Sequence, residues 1–154
     1  MIQQLDHDTV RLRIDARPEA IYDLVADVTR TPELSPEIVQ CVWLDGATGP
    51  VVGARFKARN KMPNRPTFSN KPVVTITERG RTFGFARTEP FGGTVEWRYD
   101  FTPDGDGTLV TEYFKLGSSL PLKAYWLVLG PLRGRTNAKG MRTTLGRMKA
   151  VVEA

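Results

Sequence analysis

Three polar side chains fall where strand alternation turns them toward an apolar face: Tyr99, Glu112 and Asn60. In "TVEWRYDF", residues 94–101, Val95, Trp97, Tyr99 and Phe101 share one side, while Glu96, Arg98 and Asp100 take the other. A tyrosine hydroxyl in that position needs a hydrogen-bond partner once buried. In "TLVTEYFKL", residues 108–116, Glu112 alternates with Val110 and Phe114. The opposite register would turn Thr111 and Tyr113 inward instead. A carboxyl group buried without a cation has its pKa raised and can then act as a general acid or base. In "GARFKARNK", residues 53–61, Asn60 lies on the side of Phe56 and Ala58. A buried amide must be hydrogen-bonded, so Asn60 is either a polar group for an enclosed ligand or a strand-end group. Phenol, carboxyl and amide on one apolar interior would suit proton transfer and carbonyl orientation. Phe83 and Phe85 share a face of "RTFGFARTE", residues 81–89, with Arg87 and Glu89 further along it. With Phe56, Trp97 and Phe101, these rings make either a plain core or a wall shared between core and ligand.

Other chemistries lack their residues. His7 is the sole histidine and Cys41 the sole cysteine. They assemble neither a zinc site nor a Ser-His-Asp triad, and no internal disulfide can form. "GPLRGR" and "GDG" have neither the spacing nor the context of a phosphate loop. Cys41 sits in a strand-like run and is expected to be buried and inert. No metal and no cofactor is called for.

The elements that must position these residues follow from pattern. Residues 8–16, "DTVRLRIDA", alternate as a half-buried strand. "RPEAIYDLVADV" starts with proline suited to the first helical position and repeats Ile21, Leu24, Val25 and Val28 at helical spacing. "TRTPELSPEI" has room for one further turn between its prolines. From residue 38 onward, strand signals dominate to residue 116: "IVQCVWLD", "GARFKARNK", "KPVVTITER", "RTFGFARTE", "GGTVEWRYDF" and "TLVTEYFKL". "MPNRPTFSN" is a polar connection, and "TPDGDG" carries two Asp-Gly turn signals. The outcome is a seven-stranded antiparallel sheet with one face to cover, in an α+β chain.

The cover is the C-terminal stretch. Met141, Leu145, Met148 and Val152 recur as one helical stripe. Extended backward, the stripe meets Ala138, Gly134 and Gly130; upstream, Leu122, Tyr125, Trp126 and Leu129 are also at helical spacing. Each glycine costs a helix about 1 kcal/mol relative to alanine. Gly130, Gly134, Gly140 and Gly146 therefore imply close packing on the sheet, space left for a ligand, or local disorder.

The 154 residues suit a single domain spanning 1–154. The formal net charge is +5, and it is uneven: residues 115–154 hold eight Lys/Arg and one Glu. Arg133, Arg135, Lys139, Arg142, Arg147 and Lys149 could form a nucleic-acid or anionic-surface site, or a solvated helix face. No aromatic residue interleaves with them as single-strand binding would prefer. No apolar run reaches the ~18 residues of a spanning helix, and residues 1–10 lack a secretory pattern. A soluble cytoplasmic protein is expected.

Three stretches resemble the START-like (SRPBCC) helix-grip superfamily, and within it the bacterial polyketide cyclase/dehydrase-like branch: "PEAIYDLVADVTRTPELSPE", "VGARFKARN" and "TVEWRYDFTPDGDGTLVTEYF". The resemblance runs from about Thr9 to Val152. It implies a curved sheet gripping a long C-terminal helix, two short helices between strands 1 and 2, and a deep cavity between sheet and helix. Its contents would be an apolar or aromatic small molecule, lined by Phe56, Asn60, Phe83, Phe85, Trp97, Tyr99, Phe101, Gly134, Met141 and Leu145. The enzymatic alternative is a cyclase/dehydratase in which Glu112 and Tyr99 shuttle protons and Asn60 orients carbonyls. The fold does not decide between binding and catalysis.

Overall fold

The structure, a computed structural model, describes residues 7–61, 64, 66–88, 94–116 and 139–154. The first strand, β1 (His7–Ile14), leads into α1 (Pro18–Ala26), a 3-10 turn (Val28–Arg30) and α2 (Thr31–Leu34). Pro18 opens α1, where its missing N–H is no loss. Ile21, Tyr22, Leu24, Val25 and Ala26 are buried. The helix stops at Asp27, whose carboxylate accepts from the Thr29 N–H at 3.2 Å and starts the 3-10 turn. The prolines at 32 and 36 bracket α2 and leave it four residues long.

Seven further strands follow: β2 (Ile38–Trp43), β3 (Phe56–Asn60), β4 (Phe68–Asn70), β5 (Val73–Glu78), β6 (Thr82–Thr88), β7 (Thr94–Asp104) and β8 (Gly107–Leu116). All pairings are antiparallel. One sheet has the order β1-β8-β7-β6-β5 and the other β2-β3-β4. A seam joins them. The Val74 N–H donates to the Ala54 carbonyl at 2.8 Å and the Phe56 N–H to the Pro72 carbonyl at 3.1 Å. Arg55 pairs with Val73 in the register that sets Ala58 opposite Asn70. Thus β4 and β5 occupy one row beside β3, interrupted at Lys71-Pro72, where proline has no N–H to give the ladder.

That row corrects the expected count. Eight strands form where alternation indicated seven, because the connection "MPNRPTFSN" ends in β4. Three residues are too short to display a period of two. The first strand also starts one residue earlier than expected, with His7 opposite Lys115. The remaining architecture is the expected helix-grip arrangement.

Residues 139–153 form the C-terminal helix, α3. Met141, Leu145 and Met148 are buried, whereas Lys139, Arg142 and Arg147 are exposed. Lys149 pairs with Glu153. A Cβ added to Gly140 or Gly146 would meet nothing within 4 Å among the described residues, so neither glycine serves close packing against them. Gly130, Gly134 and the apolar run of residues 122–129 lie outside the described residues. Among the described residues, no helix is long and apolar enough to cross a membrane.

Candidate functional site

The inner face is built by the hairpin of β7 and β8. Its two-residue loop, Gly105-Asp106, closes between Asp104 and Gly107, with Gly105 at φ 61°. Counting back from that loop sets Phe101 opposite Val110, Tyr99 opposite Glu112, and Trp97 opposite Phe114. On the outer strands, Phe83 of β6 faces Tyr99, Phe85 faces Trp97, and Val10 of β1 faces Glu112. One transverse row therefore reads Phe83, Tyr99, Glu112, Val10. The next reads Phe85, Trp97, Phe114. The Trp97 and Phe114 rings lie 4.8 Å apart.

Glu112 thus belongs to the inward set. It is 2% exposed, and Tyr99 8%. Tyr113 takes the opposite face, its ring 4.4 Å beneath the Arg98 guanidinium. Tyr99 stands directly opposite Glu112 in the β7–β8 ladder, so phenol and carboxyl are neighbours on the inner face. Burial chiefly, then the neighbouring Glu112 carboxylate, raises the Tyr99 pKa well above that of a free tyrosine. Tyr99 is consequently a fixed proton donor at neutral pH.

The sheet face is closed from two sides. Met141 of α3 packs with Val95 and Phe114, while Leu145 and Met148 join the cluster that holds Phe83, Tyr99, Phe101 and Val110. From α1, the Tyr22 ring stands edge-on to Phe83 and Phe101, at 6.4 and 6.1 Å. Its hydroxyl is hydrogen-bonded to that of Thr77 on β5. Phe56 crosses the seam to Phe85, with ring centroids 5.3 Å apart. Of the ring residues named from sequence, Phe56, Phe83 and Phe101 are buried, and Phe85 and Trp97 are half-buried.

Asn60 also faces inward and is buried, but its Nδ2 donates to the Ala58 carbonyl of its own strand at 3.1 Å. Its amide therefore helps to finish β3. Arg87 follows Phe83 and Phe85 on the inward face and is half-buried; Glu89 and Gly134 lie outside the described residues. Cys41 is 4% exposed, and burial pushes its thiol up to about 12, which leaves it without thiolate at neutral pH. Among the described residues, no three His, Cys, Asp or Glu side chains gather as a metal site.

Sequence reasoning passed over Tyr22 and Phe114 as parts of this interior. Phe114 was accessible through its alternation with Glu112. Tyr22 sits beside the Ile21, Leu24, Val25, Val28 stripe, and only the tilt of α1 across β6 and β7 brings its ring over Phe83.

Known proteins give this arrangement its place. A polyketide-cyclase-like protein from Corynebacterium glutamicum, solved by NMR, is 30% identical, with 96% of this chain and 91% of that one covered and a TM-score of 0.64. A START superfamily protein from Mycobacterium smegmatis superposes with a TM-score of 0.75 at 18% identity, covering 96% and 97% of the two chains. The di-domain ARO/CYC StfQ of the steffimycin biosynthetic pathway gives 0.71 at 14% identity, over 94% of this chain and 49% of that one. These last two share the fold. A curated relative, the fumarate reductase flavoprotein subunit of Helicobacter pylori, is 45% identical over 49 residues, which is 32% of this chain and 7% of that protein. The family model described as polyketide cyclase/dehydrase and lipid transport matches residues 8–153, and the chain belongs to that family.

Proposed function

We propose that this chain, acting as one unit over residues 1–154 in the cytoplasm, binds an apolar or aromatic small molecule between its curved sheet and C-terminal helix. The observation that carries the reading is the Tyr99–Glu112 pair. Phenol and carboxyl stand opposite each other, 8% and 2% exposed, among phenylalanine, tryptophan and valine side chains. Polar groups at the middle of a largely apolar face suit the orientation of a ligand. The aromatic rows on either side supply flat, apolar contact. Native mass spectrometry of the purified chain is expected to show a small molecule held noncovalently. After stripping, it should take up an aromatic probe such as 1-anilinonaphthalene-8-sulfonate at one per chain. A chain that carries nothing and takes up no apolar or aromatic probe would sink the proposal.

The same pair favours a second reading, cyclase/dehydratase chemistry on a poly-β-keto chain. Glu112 would take a proton from a carbon flanked by carbonyls. The electron pair would move onto the carbonyl oxygen, where the Tyr99 hydroxyl donates a hydrogen bond. Glu112→Gln is then expected to lower turnover roughly 10²–10⁴-fold, and Tyr99→Phe to lower it as well. Unchanged turnover in both variants would remove the assignment.

A further inference from the structure

The positive charge of this chain was expected to act, if anywhere, through its C-terminal helix. The structure points to another surface. On the outward side of β3, Arg55, Lys57 and Arg59 alternate with the buried Phe56, Ala58 and Asn60, and all three cations are exposed. Lys61 follows at the strand end, also exposed. The register that pairs Arg55 with Val73 and Ala58 with Asn70 brings the exposed Lys71 beside Lys57. Like charges side by side across a sheet are destabilising.

Several arginines elsewhere on the surface have carboxylate partners, while Arg11, Arg17, Arg142 and Arg147 take no ion pair among the described residues. Arg13 pairs with Asp15 and Asp104, Arg30 with Glu33, Arg79 with Asp23, Arg81 with Glu78, and Arg98 with Asp100. Arg55 itself lies 3.8 Å from Asp45. Among the described residues, no ion pair takes Lys57, Arg59, Lys61 or Lys71. What sets this sheet apart is the clustering: four such cations lie on three short strands, two of them side by side, and the cluster suits an anionic partner.

The apolar neighbours indicate which kind. Val42 lies opposite Lys57 on β2 and is 39% exposed; Val39, in the bulge next to the Gln40–Arg59 pair, is 49% exposed. Val51 and Val52, 66% and 62% exposed, sit on the turn that leads into β3. Branched aliphatic side chains among lysines and arginines fit the boundary between headgroups and acyl chains. They offer a nucleic acid neither stacking nor base-edge contact. We infer that the outward face of β2, β3 and β4 docks on an anionic phospholipid bilayer, with Lys57, Arg59, Lys61 and Lys71 on the headgroups and Val39 and Val42 against the interface. This inference is independent of what the interior binds.

The test is co-sedimentation of the full chain with phosphatidylcholine vesicles, with and without phosphatidylglycerol, across a salt series. Binding should require phosphatidylglycerol and weaken as salt rises. Each basic residue at such a surface strengthens binding roughly fivefold, so K57E/R59E/K71E should lose at least about a hundredfold. Val42→Asp should weaken binding too. K139E/R142E/R147E, on α3, should bind like the parent. If circular dichroism shows the charge reversal disturbs folding, K57Q/R59Q/K71Q makes the same test with a smaller loss. No binding to phosphatidylglycerol vesicles overturns the inference. So does parental binding by the folded β3 variant, loss confined to the α3 variant, or binding to an oligonucleotide but not to vesicles.

Discussion

The two sheets each bury a polar side chain on their inner face, and they treat it differently. On β3, the Asn60 amide donates to a carbonyl two residues back in its own strand. On β8, Glu112 meets a second titratable group across the ladder, Tyr99. An amide that bonds back to its own strand is oriented by the chain itself and helps to end the strand. Two coupled titratable groups in an apolar interior leave a proton whose position depends on what lies next to them. The outer faces differ as well. On the five-stranded sheet Arg13 and Arg98 meet carboxylates while Arg11 takes no ion pair among the described residues; on the three-stranded sheet Lys57, Arg59 and Lys71 gather with none.

The sharpest way to break this contrast is through packing. Phe83 is 1% exposed on the five-stranded sheet, while Phe68, on β4, is 41% exposed. Phe83→Ala is expected to lower the unfolding free energy by about 3–5 kcal/mol, and Phe68→Ala by less than about 1 kcal/mol. Urea denaturation reads both; equal losses would mean that Phe68 is packed as tightly as Phe83. A smaller effect should come from pH. The Tyr99 pKa in the folded chain lies above its unfolded value near 10, so its contribution is complete below pH 10 and is lost as pH rises from there toward the folded value. Over that window stability should fall by an extra ~1.4 kcal/mol per pH unit at most, and Tyr99→Phe should abolish the extra slope. In Glu112→Gln the tyrosinate absorbance should titrate lower than in the parent yet above an exposed tyrosine, because burial persists. A Tyr99 titration unmoved by Glu112→Gln would uncouple the pair. The smallest effect lies off both sheets. Gly146→Ala should stabilise the chain by up to ~1 kcal/mol in thermal unfolding, since the added Cβ meets nothing among the described residues; a loss would place α3 against something at that position.

Much of this was legible in the amino-acid order. The long strands β7 and β8 declare their faces by alternation, and the stripe Met141, Leu145, Met148 declares the buried side of α3. The inward register of β8 was not readable from alternation alone, because Thr111 and Tyr113 pack acceptably on either face. Tandem Asp-Gly turns deepen the ambiguity. A loop centred one residue later, on Asp106 and Gly107, would set Tyr99 opposite Phe114 and leave Glu112 facing Phe101. The choice of Gly105-Asp106 is what joins phenol and carboxyl. Other features have no local signature. The bulges between Ile38 and Gln40 and between Val74 and Ile76 depend on how strands from distant parts of the chain meet. The pairing of the Asn60 amide with Ala58 likewise depends on how β3 ends.

The interruption at Lys71-Pro72 gives the wall a crease. The two sheets stay joined there through a few backbone hydrogen bonds, the Phe56–Phe85 contact and one buried cluster that takes Phe56 and Ala58 from one side and Phe83 from the other. The proline thus parts the ladder without parting the core, at a distance from the phenol and carboxyl whose register the hairpin loop sets.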